Sequence, residues 1–321
     1  MMCQGRSHSL SALPFADALV ERGHDVTFYF EVQAPETLPL GNGVKQALLH
    51  LDSNQAQLVE EWKAFQDFIW NIRYDGITLL QPYQACANSF NDALISKADQ
   101  YWATANQTWD LIFVDGLFAS SAYAMALLNR HKTPYITFQT TELLDNHVYS
   151  LALSRWYSST RPMLVPFDFS INNFFHRLQH CYESMKVFVT VQFFGERIVQ
   201  DAVSKAGVTD FSWDVLMNSA AMTLSDYVDG WMFAQSVAND FIKIGAHCPA
   251  AVDQLTDSSL NAFVNDETSK GTILIAFGTF AQWNFASDAL KRAFVEAFNS
   301  LPGIASPIEL KNRDNGQISY T

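Results

Sequence analysis

Trp109 to Phe118 reads Trp-Asp-Leu-Ile-Phe-Val-Asp-Gly-Leu-Phe, and no other stretch constrains the fold as tightly. Leu111 to Val114 is a short, unbroken apolar run, the pattern of a strand buried on both faces of a parallel sheet. It ends in Asp115-Gly116, and Ala119 to Leu128 follows as a helix of small residues. Ligands of open α/β sheets sit outside the carboxyl ends of the strands, so an aspartate here is placed to do chemistry. A lone strand-end aspartate can equally cap the next helix. Asp115 by itself leaves both roles open.

The flanking chain supplies the other parts of an α/β plan. Residues 9 to 22 carry Leu10, Leu13, Ala16, Leu19 and Val20 at helical spacing, with Arg22-Gly23 as the stop. Pro14 suits a first turn, so the regular helix is expected to begin near Ser11. Val26 to Phe30 reads as a strand, and residues 31 to 54 as loop. Within that loop Gly41-Asn42-Gly43 has no third glycine and opens no strand-to-helix step, which makes it a turn rather than a phosphate loop. Residues 55 to 103 read as helical, Tyr135 to Phe138 as a strand, and 141 to 172 as irregular.

Residues 174 to 204 form a long helical region thick with phenylalanine, expected to be mostly core. Strand-like pieces recur at Ala221 to Leu224, Phe241 to Ile244 and Thr272 to Phe277, the last ending in Gly278-Thr279. Helices are expected at 258 to 265 and through Leu290, Phe294, Phe298 and Leu301. Repeated α/β units with a helical insertion are the plan of a doubly wound sheet. Turn-rich composition between 246 and 256 marks the break, giving a first domain over 1–248, the start of a second over 249–302, and a divergent tail over 303–321. In that tail Pro307 and Asn315-Gly316 argue against a sheet strand.

Charge narrows the functions. The 321 residues carry 20 Lys and Arg against 33 Asp and Glu, a net charge of −13. With no dense basic cluster, that balance argues against nucleic acid or an anionic membrane surface as partner. An anionic ligand would have to be held locally, for instance at helix N-termini. The four cysteines, Cys3, Cys86, Cys181 and Cys248, are scattered and form no CxxC pair, neither a zinc ribbon nor a disulfide framework. Asn106-Gln107-Thr108 is a glycosylation sequon. The first residues lack the apolar core of a signal peptide, and the longest apolar stretch, Leu111 to Leu128, contains Asp115 and serines. As written the chain reads as soluble.

Histidines are the remaining chemical groups. A substrate hydroxyl is a poor nucleophile at neutral pH, and imidazole titrates near it, so a positioned histidine is its natural base. A carboxylate on the other ring nitrogen fixes the tautomer. His8 with Asp115 would make such a pair; a lone histidine near a terminus is otherwise simply solvated. His24 stands at a helix-to-strand turn, where a structural role is expected. His176 and His180 share an i, i+4 face but have no evident third ligand, which reads as a solvated face rather than a metal site.

Ser7-His8, then Leu19-Val20-Glu21-Arg22-Gly23-His24-Asp25-Val26-Thr27, resembles the N-terminal signature of the animal UDP-glycosyltransferases, the glucuronosyl- and glucosyltransferases of glycosyltransferase family 1. Asp110-Leu111-Ile112-Phe113-Val114-Asp115 resembles a second landmark of that family. Ile244-Gly245 with Gly271-Thr272-Ile273-Leu274-Ile275-Ala276-Phe277-Gly278-Thr279 resembles a third, continued by the helix to Leu301-Pro302. The matches run in order over about residues 7 to 302.

The resemblance implies a GT-B-like fold, two facing Rossmann-like domains with the acceptor in the first and UDP-sugar mainly in the second. It implies His8 as general base on a small lipophilic hydroxyl acceptor, oriented by Asp115, and inverting transfer of a glucuronosyl or glucosyl group. Gly278 and Thr279 would approach the donor phosphates. No cofactor or metal is implied beyond the UDP-sugar co-substrate, and association with like chains is compatible with the family. Endoplasmic reticulum membrane localisation, lumenal, is the family expectation.

The sequence departs from the family in three ways. No strand precedes His8, the donor-binding Trp-x-Pro-Gln, His-x-Gly-Gly and Asp-Gln elements do not follow Pro302, and no C-terminal membrane helix is seen. The expectation is a partial chain, inactive alone. The alternative is a non-catalytic module, derived from the acceptor domain, that binds a small lipophile or a protein partner.

Overall fold

The computed structural model describes residues 6–32, 40–50, 67, 69–71, 75–141, 143–153, 169–228, 236–245, 255–273, 275 and 281–301. The chain divides into two units. The first comprises Met1–Ser53 and Tyr74–Cys248, the second Asn54–Arg73 and Pro249–Thr321. Residues 54–73, expected from the sequence in the first domain, thus group with the second. Trp70 shows why: its indole N–H donates to the carbonyl of Gln282 at 2.9 Å, and its ring lies 5.4 Å from that of Trp283.

The first unit is α/β with parallel strands, compatible with a Rossmann-like fold. Helix α1 (Arg6–Glu21) leads into β1 (Thr27–Val32), which pairs in parallel with β2 (Lys45–His50). β2 falls in a stretch expected to be loop; Lys45 and Gln46 are exposed and only Leu49 of its described side chains is buried, so its apolar signal is short. Helices α2 (Leu80–Ser96) and α3 (Ala98–Ala105) precede β3 (Ile112–Asp115), α4 (Ser120–Asn129) and β4 (Tyr135–Gln139). Helix α5 (Asp145–Ser150) interrupts a region read as irregular. Next come α6 (Phe174–Val189), a π-helical turn (Thr190–Gly195), α7 (Glu196–Ser204), α8 (Trp213–Asn218), β5 (Met222–Ser225) and β6 (Phe241–Lys243). The second sheet has the order β3-β4-β5-β6, every neighbouring pair parallel.

α1 begins earlier than its proline suggests. It starts at Arg6, not near Ser11, and runs through Pro14. Pro14 removes one intrahelical hydrogen bond, but Ala12, Leu13 and Ala16 are buried against Phe28, Phe30 and Phe138, and that apolar seam holds the helix together. The consequence is functional: His8 lies in the first turn of a packed helix rather than on a free arm.

The other face of the sheets packs on α2, α4 and α7, through Tyr83, Phe90, Tyr123, Val199 and Val203. Trp213 sits at its aromatic centre, within 5.3 Å of the rings of Tyr83 and Phe211, and donates its indole N–H to the carbonyl of Val191 at 2.9 Å. That carbonyl belongs to the π-helical turn. α6 is tied to the turn before α2 by Lys186, whose ammonium meets Asp75 at 3.1 Å and the buried Glu183 at 2.8 Å. Gly76 makes this approach possible, because a Cβ there would stand 2.9 Å from the Val187 backbone.

Two expectations about α6 fail. His180 is fully buried, against the Phe169 ring, not on a solvated face; His176 Nδ1 accepts from the Ser170 amide at 3.0 Å. The phenylalanines are not core either. Phe174, Phe175, Phe193 and Phe194 are exposed, together with Leu178, Tyr182 and Met185, so α6 turns an apolar stripe outward.

In the second unit α9 (Ser258–Val264) is capped by Asp257, and α10 (Asp288–Asn299) by Ser287. A short 3-10 turn (Trp283–Phe285) packs Trp283 on Phe294 at 5.1 Å. The strand expected at Thr272 to Phe277 is not seen at Thr272, Ile273 or Ile275, and the rest of that segment lies outside the described residues. A strand needs a ladder partner, and the described residues of this unit contain none. The tail from Gly303 also lies outside them. Among the described residues no helix is long and apolar enough to cross a membrane.

Candidate active site

β3 carries Asp115 to its carboxyl end, where the side chain is fully buried. Its register partner on β4 is Phe138, and side chains directly opposite in a parallel pair share a face, so Asp115 points to the α1 side of the sheet. There His8 meets it: Nδ1 lies 3.0 Å from Asp115 Oδ2. The two residues that sequence reasoning named as catalytic are therefore in contact, although 107 positions separate them.

Asp115 does not cap the following helix. The N-cap of α4 is Ala119, and Asp115 Oδ1 instead accepts the Leu117 amide at 3.0 Å. One carboxylate oxygen is thus spent on fixing the loop and the other is left for the imidazole. The loop holds Phe118 at φ 57°, a left-handed conformation costly for an aromatic residue. Tyr123 steadies it by donating its hydroxyl proton to the carbonyl of Gly116 at 2.9 Å.

His8 is about a quarter exposed, and among the described residues its Nε2 has no partner. Burial disfavours the imidazolium, but the hydrogen bond and the charge of Asp115 outweigh it and raise the His8 pKa above 6.5. With Nδ1–H donating to the carboxylate, Nε2 is the basic nitrogen and faces the open side. Chemically the arrangement accepts a proton at Nε2 and holds the resulting positive charge against Asp115.

The weaker site residues, Gly278 and Thr279, lie outside the described residues, as do Cys3 and Cys248. His24 is exposed, its backbone N–H closing the end of α1 on the Leu19 carbonyl at 3.1 Å. Among the described residues no group of three or more His, Cys, Asp or Glu side chains is placed to hold a metal. Sequence reasoning passed over two further polar groups at strand ends. Glu31, buried near the end of β1, accepts the Ser121 hydroxyl, and Gln139, fully buried, ends β4. Their signal was a polar residue interrupting an apolar strand next to a turn.

These features define an α/β unit with a His–Asp pair at the carboxyl edge of a parallel sheet. In comparison with known proteins, no protein-family model matches the chain and no curated protein does.

Proposed function

We propose that the first unit is the acceptor-binding domain of a UDP-glycosyltransferase with a GT-B-like plan, and that His8 is its general base. The observation that carries this reading is the 3.0 Å contact of His8 Nδ1 with Asp115 Oδ2, beside a partnerless Nε2. A small lipophilic alcohol or phenol presents its hydroxyl to Nε2. The acceptor oxygen forms a bond to the anomeric carbon of a UDP-linked glucuronosyl or glucosyl group as the bond to the diphosphate breaks. UDP departs, the anomeric configuration inverts, and the hydroxyl proton ends on His8, where Asp115 offsets its charge. A general base of this kind contributes about 10² to 10⁴ in rate. Gly278 and Thr279 are assigned to the donor phosphates on resemblance alone.

The test joins this chain to a donor domain of the family and supplies 2-naphthol with UDP-glucuronic acid or UDP-glucose. Glycoside formation that falls by about 10² or more in His8→Ala, and far less in His24→Ala, is the expected result. Undiminished turnover in His8→Ala overturns the reading.

A further inference from the structure

Gln139 ends β4 with its side chain fully buried, and neither Nε2 nor Oε1 has a hydrogen-bond partner. Buried polar groups in folded proteins are almost always paired, so a wholly unpaired carboxamide asks for a ligand. Its position says which. Side chains alternate along a strand; Phe138 shares the face of Asp115, so Gln139 rises on the opposite side of the β3 terminus.

Gly116 lies between them. Its N–H donates to the Phe138 carbonyl at 2.8 Å, which keeps the strand end in register. A Cβ at Gly116 would stand 1.9 Å from Gln139 Nε2, so the carboxamide occupies the space that a side chain would take. The end of β3 is therefore a bare backbone floor. The His8–Asp115 pair flanks it on one side and an unspent carboxamide on the other.

A carboxamide offers one donating and one accepting atom and carries no charge. That pattern suits a hydroxyl, which both gives and takes a hydrogen bond. Past the end of β4 the next buried polar side chains, Asn146 and His147, are likewise neutral groups whose polar atoms have no partner. Burial holds His147 uncharged, its pKa lowered to about 3. We propose that Gln139 is a substrate-binding residue that takes a second hydroxyl of the acceptor, so that the preferred acceptor is a small neutral diol lying across Gly116. The proposal rests on the reading of His8 as the base for the first hydroxyl.

The test is fluorescence titration of the chain with 2-naphthol and with 2,7-dihydroxynaphthalene, in wild type and Gln139→Met, with thermal unfolding of both proteins. Wild type should bind the diol about fivefold tighter than the mono-ol, the yield of one hydrogen bond. Gln139→Met should bind the two alike and melt no lower than wild type, since it removes an unpaired amide. A diol preference that survives in Gln139→Met, or is missing from wild type, overturns the proposal and leaves the reading of His8 standing. A lower melting temperature in Gln139→Met shows the amide to be structural and overturns it too. Binding of neither probe by wild type sinks both the proposal and the reading on which it rests.

Discussion

His8 Nδ1 and Asp115 Oδ2, 3.0 Å apart, join the first turn of a helix to the last residue of a strand. The contact sets a sign for pH dependence. The folded pKa of His8 lies above its unfolded value, so the stabilisation from the charged pair is fully present below about pH 6.5 and is lost as pH rises through the raised value. Asp115→Asn removes both raising causes and leaves burial, which lowers the pKa. Titration of the imidazole by NMR should give a midpoint above 6.5 in wild type and below it in Asp115→Asn. A midpoint that does not move in the variant would show that the carboxylate does not govern the imidazole.

His147 titrates in the opposite sense. The ring is fully buried, 5.6 Å from that of Trp213, and burial alone lowers its pKa to about 3. The neutral ring fits the fold, so stability is fully present above about pH 6.5 and drains away as pH falls toward 3. At about 1.4 kcal/mol per pKa unit, a few kcal/mol are at stake. His147→Phe keeps a ring beside Trp213 and has nothing to protonate. Denaturant melts between pH 7 and 4 should show wild type losing stability more steeply than the variant. Parallel slopes would contradict the assignment.

Lys186 answers two carboxylates, Asp75 before α2 and the buried Glu183 on its own helix. Lys186→Met leaves Glu183 with an uncompensated charge, and breaking one partner of a buried pair is costly. With Lys186 and Asp75 partly exposed, the loss is set at about 2 kcal/mol. Glu183→Gln in the same background should recover part of it, measurable by urea unfolding at pH 7. A variant as stable as wild type would mean that the network holds nothing.

How much of this was legible beforehand differs by element. The β3 stretch declared itself because four consecutive apolar residues followed by Asp-Gly fit few settings other than a buried parallel strand. His8 and Asp115 were legible as a pair only through a family pattern; no spacing rule joins residues so far apart, and the packing of α1 on Phe28, Phe30 and Phe138 brings them together. β2 was missed because Lys45 and Gln46 mask a strand whose apolar content lies in Ala47, Leu48 and Leu49. The start of α1 was missed because a propensity rule about Pro14 was outweighed by tertiary burial. The α6 aromatics were misread because composition says how much apolar surface a helix has, and not which side its neighbours cover. Gln139 gave no signal at all. Its interest lies in having no partner, and that is a property of a folded interior.

The outward-facing stripe of α6 has a practical consequence. Phe175 is 73% exposed and Tyr182 64%, on a molecule with net charge −13 and an isoelectric point near 4.9. At neutral pH mutual repulsion keeps these rings from finding one another. Acidify toward 5, or raise the salt until that repulsion is screened, and the restraint disappears while the stickiness remains. The colloidal second virial coefficient should then turn from positive to negative well before the fold itself gives way. Purification and crystallisation trials will meet that boundary first.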